Sequence, residues 1–101
     1  MVNKMKKEQL VTQKVREKIL NIAKLHGIVK VRLFGSLVRG EATEASDIDF
    51  LVDMEDGRSL LELIGFKQDI EELLNCKVDV LSSGGVSPYL KERIFSEAVP
   101  L

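Results

Sequence analysis

The apolar positions of the chain switch between a spacing near 3.6 and a spacing of two, and each switch marks the edge of an element. From Lys6 to His26 the period is helical. Val11, Val15, Ile19 and Ile22 recur on one face with Leu25 and His26 next, Lys and Glu fill the other, and Gly27 reads as the stop. From Val29 the period becomes two, with Val31 and Leu33 continuing it against Lys30, Arg32 and Phe34, which predicts a strand ending at Gly35-Ser36. Leu37 to Gly40 has room for a helical turn only, and Glu41 to Ser46 is polar and loop-like.

Asp47 to Met54 is rich in β-favouring apolar residues and predicts a largely buried second strand. Ser59-Leu60-Leu61-Glu62 has the form of a capping box, opening a helix whose stripe is Leu60, Leu63, Phe66, Ile70, Leu73 and Leu74. Gly65 inside that helix suggests close packing against the sheet, and Asn75 suits its C-terminal cap. Lys77 to Leu81 predicts a third strand, and Ser82 to Gly85 a turn. Ser87-Pro88 then starts a closing helix that buries Leu90, Ile94, Phe95 and Ala98. The expected fold class is α/β (α+β): a small mixed sheet of about three strands flanked by helices, in the order α-β-(short helical turn)-β-α-β-α.

Composition narrows what such a fold does. A length of 101 residues leads to the expectation of a single domain over 1–101, with one modest core and no second lobe. The 15 Lys and Arg against 16 Asp and Glu leave a net charge of −1, which argues against a nucleic-acid coat needing a cationic surplus. Neither a membrane span nor a signal peptide's hydrophobic centre is legible. Cys76, the single cysteine, fits a reducing cytoplasm and the role of a small buried hydrophobe.

The candidate chemistry is acidic. Asp47 and Asp49 are two apart on a strand and so share a face, while Ile48, Phe50 and Val52 take the other. Asp79 lies between core-facing Val78 and Val80 and points away from them. Any one such acid is ordinarily a solvated strand-end residue. If the two strands pair, however, the three carboxylates converge, and two like charges about 5 Å apart repel by about 3 kcal/mol at an effective dielectric near 20. That cost is large beside a total stability of about 5–15 kcal/mol, so the cluster calls for a cation. An all-oxygen donor set suits Mg²⁺, or Mn²⁺, rather than Zn²⁺.

Gly35-Ser36 at a strand end can bring backbone amides and a hydroxyl to a phosphate. A P-loop is excluded because position 41 is Glu where the pattern needs Lys, and a calcium loop is excluded because the run from Asp47 to Val52 lacks the third ligand and the glycine. The two features together, Gly-Ser, ten residues, then Asp-x-Asp, combine a phosphate turn with a metal-binding carboxylate pair, as phosphoryl or nucleotidyl transfer requires.

This spacing resembles the signature of the DNA polymerase beta-type nucleotidyltransferase superfamily. The string from Gly35 to Asp53, with Lys77 to Leu81 and Ile94 to Leu101, is similar to its minimal nucleotidyltransferase (MNT) branch, which includes the MntA-type antitoxins of HEPN/MNT toxin–antitoxin systems. The resemblance runs from about Val29 to Leu101, and the first helix conforms in type only. It implies that Gly35 and Ser36 hold the triphosphate of ATP and that Asp47 and Asp49 bind two Mg²⁺ ions. It makes Asp79 the third carboxylate of the site. It also implies a partner, a HEPN-domain toxin whose tyrosine receives AMP, so that a hetero-oligomer and no direct nucleic acid or membrane contact is expected.

Within that frame Asp79 also suits acceptance of the attacking hydroxyl's proton. Arg39 either reaches the phosphates or is a surface Arg paired with Glu41 or Glu44. Asp53 is read as structural, His26 as a helix-end residue, and Tyr89 as a packing or interface residue. Two rival functions stay open: an antitoxin that neutralises its partner by binding alone, and a transferase acting on a small molecule, whose acceptor pocket would need an extra domain.

Overall fold

The computed structural model describes residues 12–43 and 45–101. The helical period before Gly27 folds as α1 (Gln13–Leu25), with Val15, Ile19 and Ala23 buried. Val11 and the positions before it lie outside the described residues. Leu25, expected on the apolar face, is exposed: it is the last helical residue, and the chain turns out of the helix through His26 and Gly27.

β1 (Ile28–Phe34) follows. Its register against β2 (Ile48–Met54) slips between Ile28 and Lys30. That bulge puts Ile28 and Val31 inside and leaves Val29 exposed, where strict alternation would have buried it. α2 (Ser36–Arg39) is the single helical turn that the spacing allowed, closed by Gly40 in a left-handed conformation. α3 (Leu60–Leu74) begins after Ser59 and ends on Asn75 at φ 54°. The capping box does not form. The Ser59 side chain caps nothing, and Glu62 is drawn instead to Arg58 at 2.6 Å. Leu60 is correspondingly exposed, so the stripe that packs is Phe66, Ile70 and Leu74, with Leu63 and Leu73 at its margin.

β3 (Val78–Ser82) leads through a short 3₁₀ turn to α4 (Pro88–Glu97), whose Ser87 cap accepts from the Tyr89 amide at 3.3 Å. In α4 only Ile94 is buried. Leu90 and Tyr89 are exposed, which removes the packing role considered for Tyr89. A fourth strand, β4 (Val99–Pro100), was not foreseen: two residues show no period, and Pro cannot donate to a ladder. It sits on the edge beside β1, and Leu101 donates to the Val31 carbonyl at 3.1 Å while burying its own side chain.

The sheet order is β3-β2-β1-β4, with β2 and β3 parallel and the other pairs antiparallel. α1 and α3 cover one face, packing on Val31, Leu33, Ile48, Phe50, Val52 and Val78. Phe50 meets Phe66 edge-on at 6.1 Å between ring centres. Gly65 does approach closely, but not to the sheet. A Cβ there would come within 2.7 Å of the His26 ring, which bonds Asp69 at 2.7 Å and thereby ties the end of α1 to α3. The opposite face of the sheet carries Arg32, Asp49 and Asp53. There Arg32 stacks over Phe95 of α4 at 5.6 Å and pairs with Asp53 at 3.7 Å, the structural role expected for Asp53.

Candidate active site

Two antiparallel strands and one parallel strand meet at the end of the sheet where β1 finishes and β2 and β3 begin. Phe34 lies opposite Asp49 across the antiparallel ladder, and Asp49 lies opposite Asp79 across the parallel one. The Gly35-Ser36 turn therefore arrives directly at Asp49. Gly35 adopts φ 81° and ψ −154°, a region essentially reserved for glycine, and a Cβ there would strike the Asp49 carboxylate, whose Cγ would be 2.9 Å away. No other residue fits between the turn and the acid.

Asp49 is half-buried, and Asp47 and Asp79 are exposed at the rim. Burial pushes the Asp49 carboxyl up from 3.8 to about 6; the charges of Asp79 and Asp47 push the same way, Arg39 opposes them, and a hydrogen bond with Asp79 adds a last increment. Asp79 and Asp47 thus both act on Asp49, Asp79 the more strongly. Among the described residues no three acidic, His or Cys side chains are gathered tightly enough to form a ready-built cation cage. A hard divalent cation nonetheless suits what is present. The donors are all carboxylate oxygens, and after burial it is the charges of Asp79 and Asp47 that push the Asp49 pKa up.

Arg39 is paired as one alternative supposed, its Nε donating to Glu41 at 2.8 Å, and Glu44 lies outside the described residues. Sequence reasoning missed its second partner. Glu97, the last residue of α4, accepts from Arg39 Nη1 at 2.8 Å and from the Gly35 amide at 2.7 Å. These contacts hold the Arg39 guanidinium pKa above and the Glu97 carboxyl below their usual ranges. Nothing in the local pattern of α4 marks Glu97, because its partners are far away in the sequence. Among the described residues, no helix is long and apolar enough to cross a membrane.

A mixed sheet presenting a glycine-serine turn beside paired strand carboxylates defines a nucleotidyltransferase domain, and comparison with known proteins agrees. Residues 13–101 match the nucleotidyltransferase domain family, and the chain belongs to it. Over 85 residues it is 45% identical to "Putative protein adenylyltransferase MJ0435" of Methanocaldococcus jannaschii, covering 84% of this chain and 91% of that one. A solved structure reported as that of a "putative minimal nucleotidyltransferase" superposes with a TM-score of 0.85 at 44% identity, covering 99% of this chain and 100% of the other. A Shewanella oneidensis complex of a tri-AMPylated HEPN toxin with its MNT antitoxin shares the fold at a TM-score of 0.66 and 20% identity, covering 88% of this chain and 71% of that one.

Proposed function

We propose that this protein is a Mg²⁺-dependent adenylyltransferase that moves AMP from ATP to a hydroxyl, a tyrosine's, on a HEPN-domain toxin, and so acts as that toxin's antitoxin. The observation that carries the reading is the register that sets Asp49 against Asp79 beside Gly35 and Ser36. Ser36 and Arg39 take the β- and γ-phosphates, on the turn that Gly35 opens toward them. Asp47, Asp49 and Asp79 hold the divalent cations, which when bound lower the charge on the phosphates and screen the carboxylates from one another. The acceptor oxygen bonds to the α-phosphorus as the bond to the β-phosphate oxygen breaks, and pyrophosphate departs with the displaced electron pair. Asp79, exposed at the rim, receives the hydroxyl proton.

A protein acceptor is supported by how open the acids are: Asp47 and Asp79 face solvent, and a macromolecule supplies the wall that a small substrate would need from the enzyme. The relatives named for protein adenylylation and the AMPylated HEPN toxin complex point to the same acceptor class.

The test is to incubate the protein with ATP, Mg²⁺ and the product of the neighbouring gene, and to follow the partner's mass. Gain of one or more AMP units on the partner, lost in Asp47→Ala/Asp49→Ala, is expected. No gain, together with full neutralisation of the partner by that double variant, would show that binding alone is the function.

A further inference from the structure

Glu97 is an acid held in an unfavourable place. It is the final residue of α4, where the helix dipole presents its negative end, and no basic side chain occupies that last turn. The helix does not need it as a stop, because the Ala98 amide already closes the end on the Ile94 carbonyl at 2.9 Å. What keeps the carboxylate there is the site. Its Oε2 accepts from the Gly35 amide at 2.7 Å and its Oε1 from Arg39 Nη1 at 2.8 Å. With Glu41 on Nε at 2.8 Å, the guanidinium is gripped on two of its three nitrogens. Nη2 is the nitrogen that no carboxylate among the described residues engages. An unrestrained Arg on a four-residue helical turn would spread over many rotamers, whereas a guanidinium held at Nε and Nη1 is fixed in position and leaves the Nη2 amino group to donate elsewhere.

We propose that Glu97 is a positioning residue for nucleotide binding. It fixes the Gly35 peptide and the Arg39 guanidinium so that Ser36 and the Nη2 amino group of Arg39 meet the phosphates, and it stays on the protein while they do. The inference rests on the nucleotide reading above and adds to it a residue that acts through Arg39 and Gly35 rather than on the substrate.

The experiment is a double-mutant cycle on ATP affinity, measured by calorimetry with Mg²⁺ present, on wild type, Glu97→Ala, Glu97→Gln, Arg39→Ala and Arg39→Ala/Glu97→Ala. Urea midpoints are taken for each. Glu97→Ala should weaken ATP binding about tenfold. Glu97→Gln keeps an acceptor for the Gly35 amide but no charge for Arg39, and should weaken it about threefold. In the Arg39→Ala background, removing Glu97 should cost only about threefold, the share carried by the Gly35 amide, because the rest of its action passes through the missing side chain. A merely structural Glu97 would lower the urea midpoint and cost the same factor in both backgrounds, which overturns the proposal. Equal or tighter ATP binding by Glu97→Gln also overturns it, since the carboxylate would then be competing with phosphate. Failure of the wild-type protein to bind ATP overturns the nucleotide reading and this inference together, so the two failures are told apart by the wild-type measurement.

Discussion

Replacing Asp49 by Asn should make the metal-free protein more stable at neutral pH, although the residue sits at the centre of the site. The carboxyl titrates near 6 in the fold against 3.8 as its ordinary value. A group whose folded pKa is raised favours the folded state while it is protonated. That contribution is fully present below the unfolded pKa and is lost as pH rises through the folded one. At pH 7.5 ionised Asp49 therefore works against folding. The shift corresponds to about 3 kcal/mol at about 1.4 kcal/mol per unit, and because Asp49 is only half-buried, solvent screening reduces it to about 1–2 kcal/mol. Asn is nearly isosteric and uncharged, so the variant should gain that amount at pH 7.5, about 4–16 °C in melting temperature. The gain should fall by about half at pH 5 and nearly vanish at pH 4, where the wild-type carboxyl is protonated in both states to a growing extent. Urea unfolding of both proteins at the three pH values, with chelator present, is the measurement. Loss of stability at pH 7.5, or a gain independent of pH, would refute the account of Asp49 as a half-buried charge beside like charges.

Gly35→Ala should cost about 2–4 kcal/mol, since it combines a backbone conformation that disfavours L side chains with a collision against Asp49. Gly35→Ala should cost less in an Asp49→Gly background than in the wild type, measured by urea unfolding, which a purely conformational penalty would not allow. Gly65→Ala should push the His26 ring off Asp69 and cost about 1–3 kcal/mol by the same measurement; an unchanged midpoint would mean that the ring moves freely.

The elements that sequence periodicity located well are those whose pattern is long or whose punctuation is chemical. α3 ends on Asn75 and α4 starts on Ser87-Pro88, where a left-handed cap and a proline at the first helical position have few alternatives. The Gly-Ser turn and the strand acids were legible because spacing and alternation alone put them on one edge and one face. What escaped the sequence depended on competing partners, most of them far along the chain. Val29 is turned outward by a slip against β2, Glu62 is taken from its capping role by Arg58, and β4 exists only because β1 offers it an edge. Glu97 belongs with these. Its importance is a contact across the fold, and a helix-terminal glutamate has no local signature of it.

The parallel pairing of β2 with β3 has a consequence for how the site can fail. Ile48 lies opposite Val78 and Asp49 opposite Asp79, so the same register that seals the apolar layer also aligns the acids. Ile48 and Val78 are each 1% exposed. A slip of one residue in β3 would turn Asp79 inward and Val78 and Val80 outward, because successive side chains point to opposite faces. The hydrophobic side of the two strands is thus the ruler that measures the spacing on the polar side. A sequence change far from any carboxylate, in the greasy layer beneath α3, can blunt the chemistry without altering one charged residue.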